Sequence, residues 1–228
     1  MKVLYEDDDI IVCHKPSAVA TQTSKIGEKD MVSELKNYLC TKNQDLKSRG
    51  DVYVGLIHRL DQGVEGILVF AKTPWSAAEL SRQITEHTMK KYYYAVVYGE
   101  IMQQEGTLTD YLIKNGRDNT SKVVSKGTPG AKPAELRYSL IGSNESEGKH
   151  LVRIELITGR HHQIRVQFAH RGMPLVNDYK YGYSGDRDEA CKGIALCAYR
   201  LSLMHPKTHR EMNFEIEPTA EIFRKITV

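Results

Sequence analysis

His58-Arg59-Leu60-Asp61 stands between two apolar runs, Val52 to Ile57 and Gly66 to Ala71. Strand-like segments leading into and out of a charged cluster place that cluster on a loop at a sheet edge. Gly63 and Gly66 give the intervening chain freedom to turn tightly. An ion held away from water without a partner costs several kcal/mol, roughly, so Asp61 is either paired or working. An arbitrary Arg-x-Asp is more often a structural ion pair than a catalytic group, and the local sequence leaves both readings open.

Outward from this loop the pattern is of many strands and few helices. Val3 to Tyr5 and Ile10 to Val12 read as short strands split by an acidic turn, and Lys15-Pro16 ends the second. Met31, Val32, Leu35, Tyr38 and Leu39 repeat at helical spacing over Asp30 to Cys40, with a polar loop from Thr41 to Asp51 behind them. Pro74 opens a second helix that runs to about Thr88. Tyr92 to Val97 is a strand of aromatic and β-branched residues. Leu108 to Ile113 and Lys132 to Ile141 read as strands around a flexible, basic hairpin loop from Asn115 to Gly130. Leu151 to Ile157 is a further strand, His162 to His170 a helix, and Ile194 to Leu203 and Met212 to Ile216 the closing strands. The absence of regular βαβ alternation favours an α+β domain with a mixed or antiparallel sheet, and no linker or repeat divides residues 1–228.

Composition narrows the function. The residues before Ile10 include four consecutive acids, Glu6 to Asp9, and do not read as a secretion signal, and no apolar run approaches membrane-spanning length. The expectation is a cytoplasmic protein with reduced thiols at Cys13, Cys40, Cys191 and Cys197. Zinc at Cys191, Cys197, His205 and His209 is disfavoured, because the cysteine spacing is wide and Ile194 to Ala198 looks like a buried strand. No glycine-rich phosphate loop or dinucleotide fingerprint is present, so cofactor-driven chemistry is disfavoured too. Net charge is only +3, but the positive groups are clustered. Arg160, Arg165 and Arg171 lie with His161, His162 and His170 in one acid-free stretch, and Lys122, Lys126 and Lys132 form another basic group. Two basic patches on a near-neutral chain suit contact with a polyanion at defined places.

Three stretches in a fixed order resemble the RluA-type RNA pseudouridine synthases: Ile57 to Asp61, Lys91 to Gly99, and Thr158-Gly159-Arg160-His161-His162-Gln163-Ile164-Arg165. The last continues through Ala169 to Leu175, Asp178 and Tyr181-Gly182, while Leu4 to Asp8 with Lys15-Pro16 and Leu203 to Pro206 are similar to the family's ends. The resemblance implies a pseudouridine synthase fold: a mixed, largely antiparallel central sheet with flanking helices and an active-site cleft, needing no metal or organic cofactor. It implies an isomerase that detaches uracil from the ribose nitrogen link, turns it and rejoins it through carbon 5, in ribosomal or transfer RNA. The expected architecture is one catalytic domain over residues 1–228 without a separate N-terminal RNA-binding domain, acting as a monomer away from membranes.

By the same resemblance Asp61 is the catalytic carboxylate, as nucleophile at the sugar or as base at the neighbouring carbon. Arg165 is the ion-pair partner that orients it, and Tyr93 packs against the target base. Tyr92 and Tyr94, on the other face of the strand, are expected to serve packing. Arg59 enters the stack vacated by the flipped base. Arg160 and the basic hairpin hold phosphates, and the remaining motif residues His58, His162, Gln163 and Ile164 complete the substrate site. Two departures stand out: Val64-Glu65 where the family usually has Thr-Ser, and Asn177 where it usually has glycine. Two other functions compete with the isomerase, a non-catalytic RNA-binding or assembly protein on the same fold and a hydrolytic N-glycosidase acting on the same bond.

Overall fold

The computed structural model describes residues 1–23, 27–42, 52–101 and 103–226. The chain divides into two compact units, Met1–Met89 with Arg200–Ile216, and Lys90–Tyr199 with Glu217–Val228.

The first unit is built on strands β1 (Lys2–Glu6), β2 (Ile10–Lys15), β3 (Gly55–Leu56) and β4 (Glu65–Ala71), with helices α1 (Met31–Lys42) and α2 (Pro74–Thr85). The acidic run makes the β1–β2 turn because Asp7 Oδ1 accepts from the backbone N–H groups of Asp9 and Ile10, both at 2.8 Å. β2 and β3 both pair antiparallel with β4, which is buried at every position. That burial explains why the Gly66 to Ala71 run is apolar without alternation. Ile10, Val12, Ile67, Val69 and Ala71 form one face of this sheet and pack with Leu80 of α2 and with Leu201 and Leu203. The two leucines belong to β10 (Leu196–Met204), whose second half pairs with β11 (Glu211–Glu215) from Arg200↔Glu215 to Met204↔Glu211. Both long helices start on side-chain caps. Asp30 Oδ1 accepts from Ser33 N–H at α1, and Thr73 Oγ1 accepts from Ser76 N–H at α2, where Pro74 occupies the first turn.

The second unit carries β5 (Lys90–Tyr98), β6 (Glu105–Asn115), β7 (Thr120–Val124), β8 (Lys132–Asn144) and β9 (Lys149–Leu156), in the order β5-β9-β8-β6-β7. Every neighbouring pair among these five is antiparallel. Helix α3 (Gln163–Ala169) packs on the sheet through Val166, which meets Leu112 and Ala134, and through Phe168, edge-on to Tyr138 at 5.5 Å. Burying such side chains contributes about 1.5–3 kcal/mol each. A 3-10 turn (Tyr179–Tyr181) and a short helix α4 (Ile222–Lys225) complete the unit. Gly99 adopts φ +120°, and a Cβ there would lie 2.8 Å from the Gly172 carbonyl oxygen, so this close approach needs glycine.

The structure has the α+β class expected, with a mixed, largely antiparallel sheet and few helices. Three local expectations change. The strand expected over Val52 to Ile57 contracts to Gly55–Leu56, because Tyr53 is exposed and its ring lies over Gly55. The basic loop from Asn115 to Gly130 contains β7, since Asn119 takes the left-handed turn position at φ +50° and the β-branched Thr120, Val123 and Val124 extend the ladder. Of the loop expected from Thr41 to Asp51, Thr41 and Lys42 finish α1 and residues 43–51 lie outside the described residues.

Candidate active site

In the first unit Asp61 sits between β3 and β4 on a loop gripped through its backbone. The reciprocal pair of Leu60 N–H to Thr21 Oγ1 at 3.1 Å and Thr21 hydroxyl to Leu60 O at 2.8 Å fixes the residue before it. Lys15 Nζ donates to the carbonyls of Gln62, Pro16 and Val19 at 3.2, 3.1 and 2.6 Å, and Ser17 donates to Gly63 O at 3.1 Å. Val64 N–H closes the turn onto Asp61 O at 3.0 Å. Residues 15–21 thus form a strap that pins the main chain on both sides of Asp61. The Asp61 side chain is half-buried, Arg59 is exposed, and His58 Nε2 accepts from Val69 N–H at 3.4 Å.

Lys15 is 0% exposed, an uncommon state for an ammonium, and its three carbonyl acceptors offset the cost of leaving water. Burial pushes its pKa down from 10.5 to about 8, and the negative charges of Asp61 and Glu65 oppose that fall. Between pH 8 and 10.5 the unfolded chain keeps a proton that the folded chain has released. Stability from this group therefore rises with pH through that window and is lost as pH falls through 8. Compared with Lys15→Met by chemical denaturation, the wild type is expected to gain about 3 kcal/mol across the window. A pH-independent difference between the two proteins would refute this.

The Val64-Glu65 departure has a local account. Val64 is buried and anchors the end of the loop in the core, while Glu65 is buried with its Oε2 3.6 Å from His14 Nε2. The charge of Glu65 interacts favourably with the Lys15 ammonium.

In the second unit the Thr158 to Arg165 stretch turns into α3. His162 takes the left-handed conformation at φ 54°, so the helix starts one residue later than its sequence suggests. Gln163 is buried and holds the turn: its Oε1 accepts from Thr158 Oγ1 at 2.8 Å and Arg160 N–H at 2.9 Å, and its Nε2 donates to Glu135 O at 3.0 Å. Ile164 is buried, and Arg160 Nε donates to Pro133 O at 2.8 Å. Arg165 is 6% exposed and makes a two-pronged pair with Asp178, which is 1% exposed: Nε to Oδ2 at 2.7 Å and Nη2 to Oδ1 at 2.8 Å. Tyr93 is buried on β5 opposite Ile154, and Tyr94 stacks on Tyr199 with centroids 3.9 Å apart. Asn177 adopts φ 65°, a conformation asparagine tolerates, and its amide pins the backbone of Asp188 and Cys191.

The site residues expected from sequence thus fall into two sets: His58, Arg59 and Asp61 in the first unit, and Tyr93, Arg160, His162, Gln163, Ile164 and Arg165 in the second. Three neighbours carry no expected role in the sequence reading. Lys15 and Asp178 were legible only as motif letters. Lys91 shares the Tyr93 face of β5 and lies close to Gly159, with burial lowering its pKa; strand alternation alone would have found it.

Among the described residues, ligand-type atoms of Asp7, Asp9 and His205 lie within 4.8 Å of one another. The His205 ring is engaged by the protein itself, since Nδ1 accepts from the N–H groups of Lys207 and Thr208 and Nε2 donates to Asp7 Oδ2 at 2.7 Å.

The sequence profile of the RNA pseudouridylate synthase family matches residues 9–170, which hold both the Asp61 loop and the Arg165 turn. The chain belongs to the RNA pseudouridylate synthase family. Within this family it is similar to RluA of Yersinia pestis, named a dual-specificity RNA pseudouridine synthase. The two share 32% identity over 219 residues, covering 95% of this chain and 98% of that one, which supports the RluA type. It is also 32% identical over 208 residues to the pseudouridine synthase YhcT of Bacillus subtilis, covering 91% of this chain. The chain spans about two thirds of the length of its Bacillus and Mycoplasma pneumoniae relatives, 65% and 66%. The solved structure of human RNA pseudouridylate synthase domain containing 4 shares the synthase fold, with a TM-score of 0.74 at 20% identity, covering 98% of this chain and 90% of that one.

Proposed function

We propose that the chain is an RNA pseudouridine synthase that isomerises specific uridines in ribosomal or transfer RNA, with Asp61 as the catalytic carboxylate. The observation that carries this reading is the strap: a family carboxylate held on a loop whose main chain is pinned on both sides, beside a buried ammonium. Such restraint suits a group that must act on one carbon of a bound sugar. The bond from uracil N1 to C1′ breaks, the base turns, C5 joins C1′, and the C5 proton leaves as N1 gains one, so atoms balance with no cofactor. Asp61 serves this exchange as nucleophile or as base and must be ionised for either. Tyr93 packs on the base, Arg165 completes the catalytic set, and exposed Arg59 fills the space of the extruded nucleotide. Arg160 with Lys122, Lys126 and Lys132 holds phosphates. The two units serve as one catalytic domain, and the protein acts as a cytoplasmic monomer.

The test is a map of pseudouridines in total RNA from cells with and without the gene, read as reverse-transcription stops at carbodiimide adducts. Stops that vanish in the deletion strain and return on complementation are expected, and they identify the substrate. Identical maps would end the proposal. Free uracil among the products would instead favour the N-glycosidase.

A further inference from the structure

In the second unit one tyrosine joins the basic hairpin to the Arg165 region. The Tyr181 hydroxyl accepts from the backbone N–H of Ser121 on β7 at 2.7 Å and lies 2.7 Å from Nδ1 of His162. The ring of Tyr181 faces the Arg165 guanidinium, 5.0 Å from Cζ to centroid, and meets His162 edge-on at 5.5 Å. It also packs, with Val123 of β7, against Leu112, Ala134 and Val166. Three residues earlier, Asp178 holds Arg165 by two hydrogen bonds.

A second pair of bonds reinforces the same junction. His161 stacks on His162 with centroids 3.7 Å apart; its Nδ1 is 2.9 Å from Ser121 Oγ and its Nε2 is 3.1 Å from Asn119 Oδ1. The amide oxygen only accepts, so His161 Nε2 carries the proton and Nδ1 accepts from the serine. Beyond these contacts, Lys114, Arg117, Lys122 and Lys126 of the hairpin are exposed. From Asn115 to Gly130 the one acid is Asp118, which accepts from Asn115. A cationic hairpin held at its inner side by hydrogen bonds, with its outer side free for phosphates, is a means of gripping RNA at a fixed distance from another group.

We propose that Tyr181 is a positioning residue that sets the β6–β7 hairpin relative to Arg165, its hydroxyl fixing the hairpin and its ring supporting the guanidinium. This rests on the pseudouridine synthase reading for its catalytic consequence. The two halves of the tyrosine then have separable effects. Loss of the hydroxyl releases the hairpin and weakens RNA capture, while loss of the ring also disturbs Arg165 and slows the chemistry.

The test compares wild type, Tyr181→Phe and Tyr181→Leu with total RNA from the deletion strain as substrate, measuring pseudouridine formation against RNA concentration, together with amide hydrogen exchange over Thr120 to Val124. Tyr181→Phe is expected to raise apparent KM about tenfold with kcat within about twofold, and to lose protection in β7. Tyr181→Leu is expected to lower kcat by about tenfold in addition. Unchanged KM and protection in Tyr181→Phe, or a fall in its kcat alone, would overturn the inference. A wild type that forms no pseudouridine sinks the catalytic reading instead, and the exchange measurement still decides whether the hydroxyl holds the hairpin.

Discussion

Asp61→Asn is expected to abolish pseudouridine formation, a loss of at least about 1,000-fold, while RNA affinity stays within about tenfold of wild type. The amide has nearly the shape of the carboxylate but neither its charge nor its ability to attack carbon or take a proton. The loop should keep its form, because its backbone is held at Leu60, Gln62, Gly63 and Val64. Release of tritium from RNA labelled at uracil C5 measures turnover, and filter binding measures affinity. Turnover within tenfold of wild type would remove Asp61 from the chemistry. Complementation of a deletion strain by the inactive variant would favour the RNA-assembly role, since the fold would then matter without its reaction.

The second large effect is expected at Asp178. Changing it to alanine leaves the Arg165 guanidinium buried without its two carboxylate oxygens, and breaking a buried ion pair costs about 3–5 kcal/mol. For a chain of 228 residues this corresponds to a fall of about 10 °C in Tm. Activity should fall further than stability explains, because the two-pronged Asp178 contact orients Arg165. The double variant Arg165→Met/Asp178→Leu separates the two effects. Well-packed apolar replacements often recover the stability of a buried pair, so its Tm should return most of the way while turnover stays lost. Thermal melts beside tritium-release assays decide the matter; an Asp178→Ala protein as stable and active as wild type would show the pair to be dispensable.

Much of this was legible in the chain because the signals are local. Apolar runs gave β4 and β5, helical spacing gave α1, and Pro74 marked the start of α2. The motif around Asp61 stood out because ions between buried strands need a reason. What stayed hidden depends on partners distant in sequence. Lys15 binds Gln62 across 47 positions, and Thr21 binds Leu60 across 39. Tyr181 reaches Ser121 across 60, so its hydroxyl looked like any other aromatic end. β7 was missed because serine and lysine within Thr120 to Val124 disguise a strand whose ladder to β6 forms through the backbone. The two-pronged hold of Asp178 on Arg165 was missed for another reason: a short stretch of chain with a helix end and a 3-10 turn gives no periodicity from which to infer a pair.

The strap around Asp61 acts on peptide groups, and peptide groups are the same whatever side chains they carry. The exposed Gln62 can therefore drift over evolutionary time, or be randomised in a library, with the carboxylate kept in place by the residues from Lys15 to Thr21. Retuning which RNA is accepted, without rebuilding the reactive centre, becomes a matter of varying that exposed position and leaving the lysine and threonine alone.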